Sequence, residues 1–216
     1  MHYVVKNLIK YDPEYLDKKA DDLYLDLVGW QSSAKQESGV MYGEMWTSER
    51  RTIQIADPGV RTYKYSGSSA GTTVGFQECQ PVSEVRDALL KDTKVRYNFC
   101  LVNFYPVVFT DDETPDLQAT PSLGWHSDDE KDMVPKAPIA SISLGDVRRF
   151  RVRTKAGHEI VWDHKLDHGS LVIMEGECQE LTQHCIWKMS KTDVKDGDVR
   201  FGLRINLTFR VMKVEK

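Results

Sequence analysis

The chain has 216 residues, which suits one large domain, and its 40% hydrophobic and 29% charged residues are ordinary for a globular protein. Its formal net charge of −4 does not indicate a nucleic-acid-binding protein, so such a role would have to rest on local patches. No apolar run is long enough to span a bilayer, and the N-terminus lacks a signal peptide's apolar core. Four cysteines without a CxxC pair favour reduced thiols. We therefore expect an intracellular protein, cytoplasmic or nuclear, without membrane contact.

Two amphipathic helices are predicted in the first half of the chain. Asp12 is a candidate N-cap with Pro13 in the first helical position. Apolar residues then recur at helical spacing, at Leu16, Ala20, Leu23 and Leu27. A second helix is predicted over residues 82–90. The region between them, residues 31–75, is rich in Gly, Ser and Thr and predicts short strands and loops.

From Tyr97 onward the pattern changes to a period of two, which is typical of strands. Strands are predicted in "YNFCLVNFY", "IASISLG", "RRFRVR", "SLVIME" and "LRINLTFRV". In the last of these, one face carries Arg204, Asn206, Thr208 and Arg210, and the other carries Ile205, Leu207 and Phe209. Many short strands separated by turns predict a double-sheet sandwich or jelly roll. The acidic stretch 110–121 between them is predicted to be a loop.

A candidate metal site lies in "SLGWHSDDEKDM". In an extended strand His126 and Asp128 share a face, so both can hold one ion. A third ligand must come from elsewhere. The candidates are His164, His168 and His184, and we favour His184, because Gly169 makes His168 the end of a turn. The alternative for His184 is a core histidine.

Two imidazoles and one carboxylate leave open positions on a metal, as in the facial triad of non-haem Fe(II) oxygenases. A zinc site using Cys178 and Cys185 is an alternative, but it lacks the close ligand spacing of structural zinc sites. On the last strand, inward arginines need partners, because an unpaired buried charge is costly. A dicarboxylate ligand would supply one partner, and Asp128 could supply another.

The motifs "LVNFY", "WHSDDE", "PIASISLG", "HGSLVIM", "QHCI" and "RINLTFR" occur in the order seen in the AlkB family. That family consists of Fe(II)- and 2-oxoglutarate-dependent dioxygenases that remove alkyl groups from nucleic-acid bases. The resemblance is strong over residues 97–212 and looser over 40–70. It implies one dioxygenase domain over 1–216, mainly β with flanking helices (α+β). A double-stranded β-helix (jelly-roll) core would span about 96–212, preceded by an N-terminal helix and a nucleotide-recognition lid over about 38–75.

The resemblance also implies roles for individual residues. Matched by position, His126, Asp128 and His184 would bind Fe(II), whereas His168 matches a position that is not a ligand. The cosubstrate residues would be Arg204 and Tyr105 at the distal carboxylate of 2-oxoglutarate, with Asn103, Asn206 and Arg210 around its metal-side end.

Four further residues would meet the substrate base. Tyr65 would stack on it opposite His126, Tyr63 would contact the base or line its pocket, and Glu130 would accept from an exocyclic amino group. Tyr42 would fill the gap that a flipped base leaves in a duplex. The alternative for the aromatic residues is packing in the protein core.

Arg149, Arg151 and Arg153 share a strand face that could meet phosphates or simply be solvated.

The implied reaction uses O2 and 2-oxoglutarate to hydroxylate an N-alkyl carbon, with release of formaldehyde from a methylated base such as 1-methyladenine or 3-methylcytosine. DNA is favoured over RNA as the partner, in DNA repair, and we expect a monomer. The alternatives are an Fe(II)/2-oxoglutarate oxygenase acting on another base modification, an RNA or a protein, and an inactive nucleic-acid-binding module that keeps the fold. The intact triad and both arginines argue against the last.

Overall fold

The structure is a computed structural model that describes residues 7–41, 44–60 and 73–214. Within these ranges the chain forms twelve strands and four α-helices. The strands are β1 (Ile9–Asp12), β2 (Lys35–Met41), β3 (Glu44–Ala56), β4 (Thr73–Gly75), β5 (Phe99–Pro106), β6 (Leu123–His126), β7 (Ile139–Gly145), β8 (Arg148–Thr154), β9 (Ile160–Leu166), β10 (Ser170–Met174), β11 (Thr182–Ile186) and β12 (Leu203–Arg210). The helices are α1 (Lys19–Val28), α2 (Gln80–Thr93), α3 (Cys178–Leu181) and α4 (Lys191–Lys195).

The strands form two sheets that pack face to face. The major sheet has the order β1-β10-β7-β12-β5-β3-β2, with β4 parallel to β3, and its other pairs are antiparallel. The minor sheet has the order β6-β11-β8-β9 and is antiparallel throughout. One buried cluster joins residues of both sheets, such as Leu101 with Val152 and Ile186. This mainly β sandwich agrees with the predicted double-stranded β-helix fold.

The two faces of β12 separate the core from the site, as its alternation predicts. Ile205, Leu207 and Phe209 are fully buried in a cluster with residues of α1 and α2. Arg204 and Arg210 point the opposite way, into the space between the sheets, and are also buried. The helices therefore cover the outer face of the major sheet and leave its inner face to the polar site.

The helical stripe is confirmed, but the start of the first helix is not. All four stripe residues are buried, namely Leu16, Ala20, Leu23 and Leu27. However, α1 begins at Lys19 rather than at Pro13. Asp12 instead accepts a hydrogen bond from the backbone N–H of Glu14, and the positive φ of Asp17 (45°) interrupts a regular helix there. The second helix is present and extends over Gln80–Thr93.

Two strand predictions also change. Tyr97 precedes β5 and packs against Phe209 on the helical side of the major sheet, not on the site face. The region predicted to form short strands contains β3, which is 13 residues long and pairs with β5 in the major sheet. Residues 110–121 form no strand, as predicted. In the described part of the chain, no helix has the length and apolar character needed to cross a membrane.

Candidate metal and cosubstrate site

The three predicted metal ligands come together where β6 and β11 pair. His126 is the last residue of β6, and its Cα partner across the ladder is His184 of β11. Asp128 follows two residues later, where its backbone N–H donates to Gln179 Oε1 at 2.9 Å. The imidazole centroids of the two histidines are 4.2 Å apart. An antiparallel pairing thus brings together residues that lie 58 positions apart in sequence.

One ligand atom from each of His126, Asp128 and His184 lies within 4.8 Å of the others. No other group of three such side chains in the described ranges is close enough to hold a metal ion. The imidazole Nδ1 of His126 is 2.8 Å from the carbonyl oxygen of Gly124 and donates to it, so Nε2 is the nitrogen that would face a metal. That Nε2 is 3.7 Å from Asp128 Oδ1.

The electrostatics of the triad suit a divalent cation. Burial lowers the pKa of His126, and burial together with the neighbouring His126 lowers the pKa of His184 to about 3. Burial opposes ionisation of Asp128, but Arg210 and the two imidazoles outweigh it and lower the pKa of this carboxyl. Neutral imidazoles beside a carboxylate are the protonation state that metal binding requires.

The second oxygen of Asp128 is held by an arginine. Arg210 Nη2 donates to Asp128 Oδ2 at 2.9 Å, and both side chains are almost completely buried. Asp128 Oδ1 has no hydrogen-bond partner among the described residues, nor does His184 Nδ1. The donor set therefore fits Fe(II): two imidazole nitrogens and one carboxylate oxygen would hold it on one side, which leaves positions for other ligands.

The triad opens into a cavity between the two sheets. Its lining combines triad residues, the polar face of β12 and residues of β3, β5, β7, β8 and β10; it consists of Arg50, Leu101, Asn103, Tyr105, Leu123, His126, Asp128, Ser141, Phe150, Met174, His184, Ile186, Arg204, Asn206, Thr208 and Arg210. All eight residues predicted to hold metal or cosubstrate thus line one space.

Arg204 has the features of a site for an anionic ligand. Its side chain is 1% exposed, and its Nη2 donates to Ser143 Oγ at 3.0 Å. Its Nε and Nη1 have no hydrogen-bond partner among the described residues, although they are buried. Burial lowers the pKa of Arg204 to about 10, so it remains charged at neutral pH. A buried guanidinium with two unused donors fits a carboxylate of 2-oxoglutarate.

The two predicted asparagines form one hydrogen-bonded group beside Arg204. Asn206 donates to Ser141 Oγ at 2.8 Å and to the carbonyl of Ile142 at 2.9 Å, while its Oδ1 accepts from Thr208 Oγ1 at 2.9 Å. Asn103, its Cα partner on β5, donates to the same Oδ1 at 3.4 Å. Tyr105 pairs with Arg204 across the same ladder, with its ring centroid 5.1 Å from the guanidinium carbon.

Arg50 also lines the cavity, a position that was not predicted from the sequence. It is 6% exposed, and its Nε donates to Asn103 Oδ1 at 2.8 Å. Because Oδ1 accepts this bond, the amide nitrogen of Asn103 is turned toward Asn206. No pattern in β3 distinguishes Arg50 from its neighbour Arg51, which is exposed. Only the pairing of β3 with β5 decides which arginine faces the cavity.

The predicted base-recognition residues stand apart from this cavity or outside the described ranges. Tyr42, Tyr63 and Tyr65 lie outside the described residues. Glu130 lines a neighbouring cavity, which shares Asp128 and Met174 with the first. Its role toward a base stays a prediction.

His168 has a structural environment. Its Nδ1 accepts a hydrogen bond from the backbone N–H of Gly145 at 2.7 Å, and its Nε2 is 3.2 Å from Asp21 Oδ1. Gly145 has a φ of 79°, and a Cβ there would collide with the carbonyl oxygen of Leu203. His168 thus links α1 to a tight turn after β7 and takes no part in the triad.

The arginine face of β8 lies on the outer side of the minor sheet. Arg149 and Arg151 both bond to Asp163, at 2.9 and 3.0 Å, and the guanidinium of Arg151 lies 4.4 Å from the ring centroid of Trp187. Arg153 stacks in the same way over Trp125, at 4.3 Å. The face is therefore neither a simple solvated surface nor fully neutralised, because Asp163 pairs only with Arg149 and Arg151, whereas Arg153 donates to the neutral side chain of Gln183.

Comparison with known proteins agrees with this geometry. Residues 3–210 match the sequence model of the 2OG-Fe(II) oxygenase superfamily. The chain is 28% identical to the Arabidopsis thaliana DNA oxidative demethylase ALKBH2 over 195 residues, which cover 80% of this chain and 56% of that protein. It is 30% identical to the Rattus norvegicus alpha-ketoglutarate-dependent dioxygenase alkB homolog 3 over 209 residues, which cover 93% of this chain and 62% of that protein.

Similarity extends to a solved fold. The structure of OsALKBH1 superposes with a TM-score of 0.54 at 18% identity, covering 94% of this chain and 97% of that one. The chain spans between 56% and 62% of the length of the two relatives named above. The matched superfamily, the shared fold and the His-Asp-His group together show that the chain belongs to the AlkB family of 2OG-Fe(II) oxygenases, related to ALKBH2 and alkB homolog 3.

Proposed function

We propose that this protein is an oxidative demethylase of N-alkylated nucleic-acid bases, such as 1-methyladenine or 3-methylcytosine, acting in DNA repair. One observation carries the proposal. The group formed by the half-buried His126 and the buried Asp128 and His184 shares a single cavity with the buried, incompletely hydrogen-bonded Arg204. A metal and a dicarboxylate can therefore be held side by side, as an Fe(II)/2-oxoglutarate oxygenase requires.

Bound Fe(II) would supply O2 activation coupled to oxidative decarboxylation of 2-oxoglutarate, with hydroxylation of the N-alkyl carbon and loss of formaldehyde from a methyl group. The residues of this chain orient and shield the reactants. Arg204 would pair with the distal carboxylate through its two unused donors, in front of the ring of Tyr105. Arg210 would fix Asp128 through Oδ2 so that Oδ1 faces the ion.

Two features support a nucleic-acid substrate. Two relatives, from Arabidopsis and human, are named DNA oxidative demethylases. On the outer side of the minor sheet, Asp163 pairs with Arg149 and Arg151, and Arg153 donates to the neutral Gln183, so a net positive face lies on an otherwise acidic protein. Such a face can bind phosphates, and the release of counterions from the nucleic acid favours that binding. The neighbouring Trp187, 42% exposed, offers an aromatic surface to an unstacked base.

Formaldehyde release tests the proposal directly. The protein would be purified without oxygen, loaded with Fe(II) and 2-oxoglutarate, and given oligonucleotides that carry 1-methyladenine or 3-methylcytosine in DNA and in RNA. We expect formaldehyde and an unmodified base from DNA, and less from RNA. Succinate formation without formaldehyde from any methylated oligonucleotide would overturn the substrate class while leaving the oxygenase assignment intact.

A further inference from the structure

A line of aromatic rings leads away from the metal site toward the edge of the sandwich. Phe150 stacks on the imidazole of His184, with ring centroids 5.3 Å apart and planes at 27°. Trp162 meets Phe150 edge-on at 5.7 Å, and Tyr11 meets Trp162 edge-on at 5.8 Å. Phe150 is buried, whereas Trp162 and Tyr11 are half-buried. The line therefore begins at a metal ligand and ends where solvent is reached.

The outer end of the line is equipped to release a proton. The hydroxyl of Tyr11 lies 3.0 Å from Asp167 Oδ2, and its ring also contacts the exposed His164 at 5.9 Å. A phenol that loses an electron becomes strongly acidic, so a carboxylate at hydrogen-bond distance can take the proton in the same step. The indole of Trp162 and the phenol of Tyr11 are among the most easily oxidised side chains, whereas the benzene ring of Phe150 is not.

We propose that Trp162 and Tyr11, connected to His184 through Phe150, form an electron-transfer route to the metal site. The route delivers electrons when 2-oxoglutarate is consumed with no substrate base bound. The inference rests on the oxygenase part of the proposed function, but not on its nucleic-acid substrate. Phe150 bridges the gap between the metal ligand and Trp162. Trp162 and Tyr11 give up the electrons, and Asp167 accepts the proton of Tyr11.

When no substrate is bound, the reaction needs two electrons from another source, and this route is one such source. Decarboxylation of 2-oxoglutarate to succinate and CO2 uses two of the four oxidising equivalents of O2, and a substrate C–H bond normally uses the other two. Without substrate, two electrons and two protons reduce the remaining oxygen atom to water. The route supplies these electrons one at a time from Trp162 and Tyr11, and solvent supplies the two protons. A thiol or ascorbate in solution then returns one electron and one proton to each oxidised side chain.

An unprotected cavity would oxidise its own lining. Met174 lines the cavity beside Asp128, and its thioether is readily converted to a sulfoxide. The route thus predicts competition between Met174 at the site and the pair Trp162 and Tyr11 at the edge. Removal of Trp162 should shift oxidation toward Met174.

The test uses hydrogen peroxide on the Fe(II)-loaded full chain, with neither 2-oxoglutarate nor nucleic acid. Peroxide also brings two oxidising equivalents to the metal and ends as two waters when two electrons and two protons arrive. Radicals would be trapped by rapid freezing and detected by electron paramagnetic resonance, and oxidised residues would be mapped by peptide mass spectrometry. We expect a tyrosyl or indolyl radical in the native protein, with oxidation at Trp162 and Tyr11. In Trp162→Phe the radical should fall severalfold and oxidation of Met174 should rise severalfold.

Matched controls separate the route from general surface oxidation. Tyr15 also bonds to a carboxylate, Asp92 Oδ2 at 2.7 Å, and Trp30 packs on the helical side, away from His184. Tyr15→Phe and Trp30→Phe should match the native pattern, and Tyr11→Phe should remove the tyrosyl signal. Protein loaded with Zn(II) should show neither radical. Equal Met174 oxidation in native protein and Trp162→Phe, or oxidation of Tyr15 and Trp30 to the same extent as Tyr11 and Trp162, would overturn the inference. Loss of demethylation alone would overturn only the proposed function.

Discussion

Arg210 Nη2 donates to Asp128 Oδ2 at 2.9 Å, and both side chains are buried to within a few per cent. This pair joins the last residue of β12 to a predicted metal ligand 82 positions earlier in the chain. Arg210 keeps Asp128 ionised and occupies its Oδ2, which would leave Oδ1 to face an ion. The arginine would thus position the metal site, in addition to its predicted place near the cosubstrate.

Removal of Arg210 should therefore weaken both the fold and the metal site. Arg210→Met leaves Asp128 as a buried carboxylate without its arginine, which costs about 3–5 kcal/mol of unfolding free energy in metal-free protein. Metal affinity should fall about 10–100-fold. Urea denaturation and a titration with Co(II) measure the two effects. A full-affinity Co(II) site in Arg210→Met would show that Asp128 needs no such partner, and Arg210→Lys should be intermediate.

Loss of any triad side chain should abolish turnover. His126→Ala, Asp128→Ala and His184→Ala each remove one of three ligand atoms that lie within 4.8 Å of one another. Succinate formation and bound iron per chain are the measurements. His168→Ala is the matched control, because His168 bonds to Gly145 and faces Asp21 instead. It should keep iron while losing some thermal stability, and the ligand assignment is wrong if it loses iron while His184→Ala retains it.

Arg204→Lys should raise the 2-oxoglutarate concentration needed for half-maximal succinate formation. A lysine replaces the two-pronged guanidinium by a point charge, and the loss of one charged hydrogen bond costs about 1.5–3 kcal/mol, or roughly 10–100-fold in affinity. Arg86→Lys, a change to an arginine paired with Asp57 on the opposite side of the sheet, serves as the control. An unchanged half-saturation value would remove Arg204 from the cosubstrate pocket.

The arginine face of β8 should contribute affinity for nucleic acid without preference for its sequence. Arg151→Gln and Arg153→Gln should each weaken binding of unmodified oligonucleotides and lower the slope of log affinity against log salt by about 1. Fluorescence anisotropy over a range of salt concentrations measures both quantities. Arg86→Gln removes a surface charge elsewhere and should leave the slope unchanged. Native slopes in both face variants would mean that these arginines only brace Trp125 and Trp187.

Tyr42→Ala should distinguish duplex from single-stranded substrates. Loss of base stacking costs roughly a few kcal/mol per base step, and an aromatic ring that fills the gap left by a flipped base replaces part of that stacking. A single strand has no such gap, so demethylation should fall mainly for the duplex. The measurement compares the same methylated base in matched single- and double-stranded oligonucleotides. Equal losses with a lowered melting temperature would make Tyr42 a packing residue instead.

The sequence was sufficient where the chemistry is local. The alternation of β12 separates Arg204 and Arg210 from Ile205 and Leu207, because a strand places successive side chains on opposite faces. His126 and Asp128 were predicted to share a strand face, and their ligand atoms do lie together, although β6 ends at His126 and Asp128 follows it. The late start of α1 was not predicted, because Asp12 and Pro13 have the residue types of a helix N-terminus. The positive φ of Asp17 prevents a regular helix from running on from them.

What the sequence could not decide is which distant residues meet. His184 and His168 carry equivalent side chains, and pairing of β11 with β6 sets only His184 beside His126, while Gly145 and Asp21 engage His168. Arg50 and Arg51 are neighbours of one type, and only the register of β3 against β5 turns Arg50 to Asn103. A strand's period of two fixes the two faces of a segment, but strand pairing over long sequence separations fixes what each face touches.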